Sequence, residues 1–399
     1  MELEKLIGLA EEMKEQVVTW RRDFHQHPET GYEEFRTSKI VAEHLEGLGL
    51  EVKTNVGKTG VVGILRGENP GPTIGLRADM DALPIQDQKT VPYCSQVPGK
   101  GHLCGHDAHT SMLMGAAQLL VSLGKPKRGN IKFVFQPAEE GLAGAKAMMD
   151  DGVLENPMVD AMAGLHVFPA LPTGSIAVTK GVAFASADSI RIKIIGKGGH
   201  AARPHEAVDA ITVSSQVISA LQHVASRLVD PLEPVVVTIG KIQGGYMGTA
   251  IAPEVEMVGT VRTLSPSLRK NMPEFIENII RGVTQAFGAE YEFKYNVGYP
   301  VVVNHEGMVD FLTKTSEQVF GDKRWDYVKP STGGEDFAFY SEAVPGVFFR
   351  LGVSNAQEYT SYPLHHPKFD LDEDALPYGV AMLSAVALSF LSDSPQFNI

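Results

Sequence analysis

Apolar residues recur along this chain at two different spacings, and the switch between them lays out its elements. In "LIGLAEEMKEQVVTWRRDF" and "TSKIVAEHLEGL" they return every three or four positions, which predicts helices over 6–24 and 37–48. "GVVGILRG" (60–67), "PTIGLRADMDALP" (72–84) and "NIKFVFQPAEEG" (130–141) open on apolar runs that read as buried strands, the second ending in a loop that carries Asp79 and Asp81 and the third running into a turn. Helical spacing over 110–123 and 143–151 separates such runs, and "DAMAGLHV" (160–167) is one more, closing on a histidine. Strands alternating with helices predict an α/β fold, a sheet covered by helices on both faces. Functional groups in such sheets collect beyond the carboxyl ends of the strands. Asp79, Asp81, Glu139, Glu140 and His166 fall at those ends.

The pattern changes after Ser186. "DSIRIKIIG" alternates as a strand, 208–228 has helical spacing, and "PVVVTIGKI" and "EVEMVGTVRTL" are two further strands. "SPSLRKNMPEFIENIIRGVTQAF" opens with Ser265 and has Pro266 at its first helical position, a helix start, and "AEYEFKYNVG" closes as a strand. The order β-α-β-β-α-β is the ferredoxin-like arrangement. The reading is therefore a discontinuous main domain, 1–185 and 299–399, with a lid or dimerisation domain inserted at 186–298. The main domain resumes with "STGGEDFAFY", "GVFFRLG" and a last helix from about 375.

A length of 399 residues, 43% hydrophobic and 21% charged, suits two or three globular domains. The net charge of −13 argues against nucleic acid or an anionic membrane as a partner. The N-terminal stretch carries charges throughout, without the apolar core of a signal peptide, and no other segment is read as approaching membrane-span length. Only Cys94 and Cys104 are present, so no disulfide framework is expected. A cytoplasmic chain is expected, in which Cys104 is better suited to be a ligand than a crosslink.

Cys104 sits in "GHLCGHDAHTSML" (101–113), two residues before His106. A thiolate and an imidazole so spaced can face one ion, although a buried cysteine beside hydrogen-bonded histidines has the same sequence. In "PAEEG" two adjacent carboxylates follow an apolar strand, where they are costly to bury without positive charge nearby. One can hold a metal while its neighbour handles a proton; a solvated turn is the plain alternative. His166 and the pair His365 and His366 of "PLHHPKFDLDED" complete a set of possible ligands at successive strand ends. Other chemistries lack their residues. Position 209, four after His205, is Asp, so there is no His-Glu-x-x-His helix, and no Gly-x-Ser-x-Gly elbow occurs. "VGKTG" (56–60) resembles a phosphate loop only in its tail, since position 52 is Val, and reads as a hairpin turn.

Taken in order, "RRDFHQHPETGYEEFRTS", "LRADMDALPI", "HLCGHDAHTSML", "FQPAEEG", "GLHV", "GKGGHAARPH", "GTVRTL", "GGEDFAFY" and "LHHPKFDLDE" resemble the aminoacylase/carboxypeptidase metallohydrolases. The amidohydrolase branch is the nearest match: hippurate hydrolases, N-acetyldiaminopimelate deacetylases, auxin-conjugate hydrolases and thermostable carboxypeptidases. The resemblance covers nearly the whole chain. It implies a zinc-peptidase-like catalytic domain with a mixed sheet. It also implies a two-metal site held by Cys104, His106, Glu140, His166 and His365, with Glu139 as general base. Asp81 matches the acid that orients a ligand histidine. Asp79 stands where other branches place a ligand histidine and is not counted as one; His366 is placed near the ligands or at the surface. His200 matches a histidine that reaches an active site, often the partner subunit's, and polarises the scissile carbonyl. Thr249, in "TAIA" (249–252), replaces a substrate-contacting Asn of the family. Arg262 and Arg350 are candidates for the substrate carboxylate, because a planar guanidinium binds both oxygens.

The activity so implied is metal-assisted hydrolysis of N-acyl-L-amino acids, N-acetyl or N-benzoyl in type. The alternatives are a metallo-carboxypeptidase or dipeptidase acting on short peptides, and a metal-binding homologue that has lost catalysis. Sulfur among the ligands favours zinc, with manganese, cobalt or nickel as other ions the set accepts. A homodimer through the inserted domain is expected, from the exposed edge of a ferredoxin-like sheet.

Overall fold

A computed structural model describes residues 3–393, 395 and 397. The chain folds as two compact units, one of Met1–Ala183, Val302–Lys329 and Asp336–Ile399, the other of Phe184–Val301 and Pro330–Glu335. The second unit therefore takes in a short piece of chain, 330–335, beyond the β-α-β-β-α-β stretch.

The first unit is built on an eight-stranded mixed sheet. Its order is Glu51–Val56, Gly60–Arg66, Asn130–Gln136, Thr73–Asp79, Ala161–Pro172, Gly346–Ser354, Ile176–Val178 and Trp325–Tyr327. The four central strands run parallel, with Asp79 opposite Gln136, Arg77 opposite Gly164 and His166 opposite Arg350. Their carboxyl ends thus share one edge, as expected for such a sheet. Both outer faces are covered, which is why the central strands are apolar without alternation. The first two strands form an antiparallel hairpin whose turn holds the "VGKTG" segment.

Helix His106–Ser122 is the innermost helix, with residues 106–117 all buried. Helices Lys14–Gln26 and Leu376–Asp393 pack against it. Gly115 permits their approach, since a Cβ there would stand 2.9 Å from Val380 Cγ2 and 3.1 Å from Val17 Cγ2. By length and composition the last helix is long and apolar enough to cross a membrane, contrary to the reading of the sequence, but most of it is buried inside this core.

Other boundaries moved for local reasons. The helix predicted over 6–24 is two, Lys5–Glu12 and Lys14–Gln26, parted at Met13 where the backbone opens to ψ −3°. The strand running into a turn over 130–141 is found as read: it ends at Gln136, and the turn follows with Ala138 left-handed at φ 55°. The helix predicted from 110 begins four residues earlier, at His106.

The second unit carries a four-stranded antiparallel sheet in the order Val235–Gly244, Glu254–Thr263, Ala187–Ile195, Glu290–Tyr299. Helices Ala210–His223 and Pro266–Phe287 connect its strands, giving the ferredoxin-like order. Asp209 and Ser265 cap the two helices by accepting backbone N–H bonds. The helix predicted over 208–228 stops at His223 and ends in a wider turn over Val224–Leu228.

Candidate metal centre

One strand end and the residues just past it begin the site. Arg77 and Asp79, two apart in strand Thr73–Asp79, turn their side chains the same way, and Asp81 follows in the loop beyond. Arg77 is fully buried and donates to Asp79 Oδ2 at 2.5 Å, to Asp336 Oδ1 at 2.9 Å and to Gln136 Oε1 at 2.9 Å. Asp79 Oδ1 accepts from His109 Nδ1 at 2.5 Å, so both its oxygens are engaged. Asp81 accepts the backbone N–H of Glu139 and of Glu140, each at 3.0 Å, and faces His106 Nδ1 at 3.3 Å. One carboxylate thereby ties the "PAEEG" turn to the start of the inner helix.

That start depends on Gly105, whose φ of 89° swings the chain from Cys104 into the helix. A Cβ there would fall 2.3 Å from Val167 Cγ2, so only glycine lets Cys104 and His106 approach the strand carrying His166. The Cys104 thiol lies 3.4 Å from His166 Nε2. His166 Nδ1 donates to the Val167 carbonyl at 2.7 Å, which leaves Nε2 as the nitrogen with a lone pair. His365 also sits in left-handed backbone, at φ 66°, anchored by its N–H on the Leu103 carbonyl at 2.7 Å. Its Nε2 reaches Glu140 Oε1 at 3.2 Å.

Among the groups of potential donors whose atoms lie within 4.8 Å of one another, three are built from the expected ligands and Glu139: Cys104, His106 and His166; Cys104, Glu140 and His365; His106, Glu139 and Glu140. The groups overlap, and Cys104 belongs to two of them. The arrangement fits cations on electrostatic grounds as well. His106 Nε2 is fully buried and finds no hydrogen-bond partner among the described residues. Burial alone would lower its pKa, but Asp79, Asp81 and Glu140 outweigh that and hold it up at about 10. Burial and the nearby Glu140, Glu139 and Asp79 carboxylates push the Cys104 thiol well up. Both groups hold protons where a divalent ion would replace them.

The other sequence-derived residues, His366, Arg350, His200, Thr249 and Arg262, belong to none of these donor groups. His366 stacks on Tyr362, with ring centroids 4.6 Å apart, and its Nδ1 accepts from Lys368 N. Arg350 is buried with its guanidinium 4.8 Å from the Phe168 ring, and burial lowers its pKa. On the second unit, exposed His200 pairs in register with Ala250 beside Thr249, and its Nδ1 accepts from Ala202 N at 3.0 Å. Arg262 turns Nη1 onto the carbonyls of Asp188 and Val261 and onto the Thr260 hydroxyl.

Sequence reasoning missed the residues behind the cluster. Asp107 accepts from Arg21 Nε at 2.9 Å and from His25 Nδ1 at 2.6 Å, fastening the inner helix to helix Lys14–Gln26. Glu34, fully buried, accepts the N–H of Ala138 at 2.8 Å and the Thr59 hydroxyl at 2.6 Å, fixing the left-handed residue before Glu139. Charged residues inside otherwise apolar or helical motifs, such as Arg77 in "LRAD" and Arg21 in "RRDF", were the available signal.

Sulfur, imidazole and carboxylate donors gathered at the carboxyl edge of an α/β sheet define a candidate centre for divalent metal ions. A model of peptidase family M20/M25/M40 matches residues 75–389, and the chain belongs to that family. It is 42% identical over 307 residues to an N-acyl-L-amino acid amidohydrolase of Geobacillus stearothermophilus, covering 77% of this chain and 82% of the relative. It is 38% identical over 392 residues to thermostable carboxypeptidase 2 of Saccharolobus solfataricus, covering 97% and 98%. A solved dinuclear metal-binding peptidase of the M20 family from Bacillus subtilis superposes with a TM-score of 0.82 at 36% identity, over 96% of this chain and 99% of that one. The protein is thus a hydrolase of amide or peptide bonds, and the family and this neighbour support two divalent ions as its cofactor.

Two outcomes are expected. Burial holds the Glu34 carboxyl up at about 7, so the folded state keeps a proton that the unfolded chain releases near the ordinary 4.5. Stability therefore falls as pH rises from about 4.5 to about 7. Denaturant midpoints should drop across that window in the wild type and less in Glu34→Gln; parallel curves would refute the assignment. In Cys94→Ser protein, where Cys104 is the remaining thiol, added divalent metal should slow alkylation. Equal rates with and without metal would exclude Cys104 as a ligand.

Proposed function

We propose that this protein is a two-ion amidohydrolase converting N-acyl-L-amino acids, N-acetyl or N-benzoyl in type, to a carboxylic acid and a free amino acid. The observation that carries the reading is the division of labour at the "PAEEG" turn. Glu140 lies with Cys104 and His365 and also with His106, whereas buried Glu139 shares only the His106 group among the three. Cys104, His106, Glu140, His166 and His365 hold the ions, zinc before manganese, cobalt or nickel, because a soft sulfur donor favours it. When bound, such a pair supplies a water of lowered pKa and polarises a carbonyl.

Glu139 takes one proton from the attacking water as the C–O bond forms, and passes it to the amide nitrogen as the C–N bond breaks. Asp81 holds both glutamates by their backbone amides, so the base keeps its position as its charge changes. With Nδ1 of His200 occupied by Ala202 N, Nε2 is the nitrogen suited to polarise a substrate carbonyl oxygen. Arg350 springs from the residue paired with His166, on the same sheet face, which supports it over Arg262 as the partner of the substrate carboxylate. Thr249 in place of the family's Asn presents a hydroxyl rather than a carboxamide at the substrate-contacting position.

The same machinery with a longer pocket would serve a carboxypeptidase acting on short peptides, and the carboxypeptidase relative keeps that second reading in play. The intact donor set and Glu139 weigh against an inactive homologue. A reducing, cytoplasmic setting suits a ligand thiol, and both cysteines are free. Strands Val235–Gly244 and Glu290–Tyr299 are the edges of the second unit's sheet, which suits a two-fold homodimer contact.

Metal-loaded wild type should cleave N-acetyl- or N-benzoyl-amino acids faster than dipeptides. Glu139→Gln should keep its ions by elemental analysis and lose about 10²–10⁴-fold in kcat. A Glu139→Gln enzyme of wild-type rate would rule out that residue as the base, and turnover of dipeptides alone would favour the second reading. Sedimentation velocity should give a dimer; a monomer throughout the accessible concentration range would overturn the homodimer.

A further inference from the structure

The motif that supplies Cys104 and His106 also supplies His109, to which the reaction assigns nothing. Its distances to Asp79 and His106 would allow it to be a third donor in a metal group. Its hydrogen bonds exclude that. The Val167 N–H donates to His109 Nε2 at 2.9 Å, so Nε2 is an acceptor and the ring proton lies on Nδ1. Nδ1 in turn donates to Asp79 Oδ1, and the opposite oxygen of Asp79 is held by Arg77. Neither ring nitrogen is left for an ion.

Val167 is the residue after His166. The ladder between strands Thr73–Asp79 and Ala161–Pro172 ends at Arg77 opposite Gly164, three residues short of it. Beyond that point no strand covers this flank, and the His109 ring takes the place of the missing neighbour. The stretch it pins is the one that orients the His166 ring, since His166 Nδ1 donates to the carbonyl of the same Val167. His109 and Val167 are both fully buried, so water does not substitute for the imidazole.

We propose that His109 is a positioning residue: through the Val167 amide it fixes the backbone from which His166 reaches toward Cys104, with Asp79 locking the ring in the required tautomer. The inference rests on the proposed role of His166 as a ligand. It assigns to this chain a chain of contacts, Arg77 to Asp79 to His109 to Val167, that replaces strand pairing at the point where the sheet splits open. Asp79, standing where other branches were expected to carry a ligand histidine, thereby acts on the centre at one remove.

Two substitutions separate the functions of the ring. His109→Asn reaches Asp79 but is too short for Val167, so it keeps the charge partner and loses the backbone clamp. His109→Gln extends an amide oxygen toward Val167 and is the conservative rescue. Ion affinity would be measured by chelator competition, and geometry by the visible spectrum of the cobalt-loaded protein, including its sulfur-to-cobalt charge-transfer band. Expected for His109→Asn is an unchanged circular dichroism spectrum, about 10–100-fold weaker binding of one ion and an altered cobalt spectrum. His109→Gln should recover most of both. Wild-type affinities and spectra in both variants would overturn the inference while leaving the two-ion reading intact. A wild type that binds no ion would overturn the two together.

Discussion

Four carboxylates at the carboxyl edge of one sheet, Asp79, Asp81, Glu139 and Glu140, have to be neutralised out of water, and the architecture of the first unit follows from how this is done. Burying an isolated carboxylate costs several kcal/mol even after relaxation, roughly the scale of a domain's net stability. Each is therefore met by a specific positive or donor group. Arg77 answers Asp79, two backbone amides and His106 answer Asp81, and the glutamates face His106, Cys104 and His365. A centre that raises the pKa of an imidazole and a thiol together is one already charged to receive cations.

The supporting shell is as constrained as the donors. Left-handed backbone at Ala138 and His365 and the positive φ of Gly105 lie at the three turns that deliver Glu139, His365 and Cys104. Gly105 takes its conformation without strain, but at the non-glycine residues Ala138 and His365 strain of about 1–3 kcal/mol persists only where surroundings over-determine it. Here the surroundings are identifiable: the Glu34 carboxylate on Ala138, the Leu103 carbonyl on His365, and the lack of room for any Cβ at Gly105.

Much of this was legible in the sequence, for physical reasons that differ by element. Continuous apolar runs gave the central strands, because both faces of a parallel sheet are dry, and the alternation in "DSIRIKII" gave a strand with one wet face. Adjacent carboxylates after "IKFVFQ" pointed to positive charge because isolated burial is so costly. The early start of the inner helix was hidden, since His106 to His109 carry no apolar periodicity and the helix is buried all round. The break at Met13 was equally silent in the pattern, as the apolar spacing continues across it. Roles for His109 and Glu34 were out of reach because each depends on which backbone amide lies opposite, and that of Asp79 because it acts through His109; side-chain spacing encodes neither.

Cys104, His106 and Glu140 each belong to two of the overlapping donor groups, so on the proposed assignment a change at any one of them would be felt in both of its groups. Conversion of the Cys104 thiol to a sulfenic acid would thus alter a donor shared by the His106/His166 group and the Glu140/His365 group together.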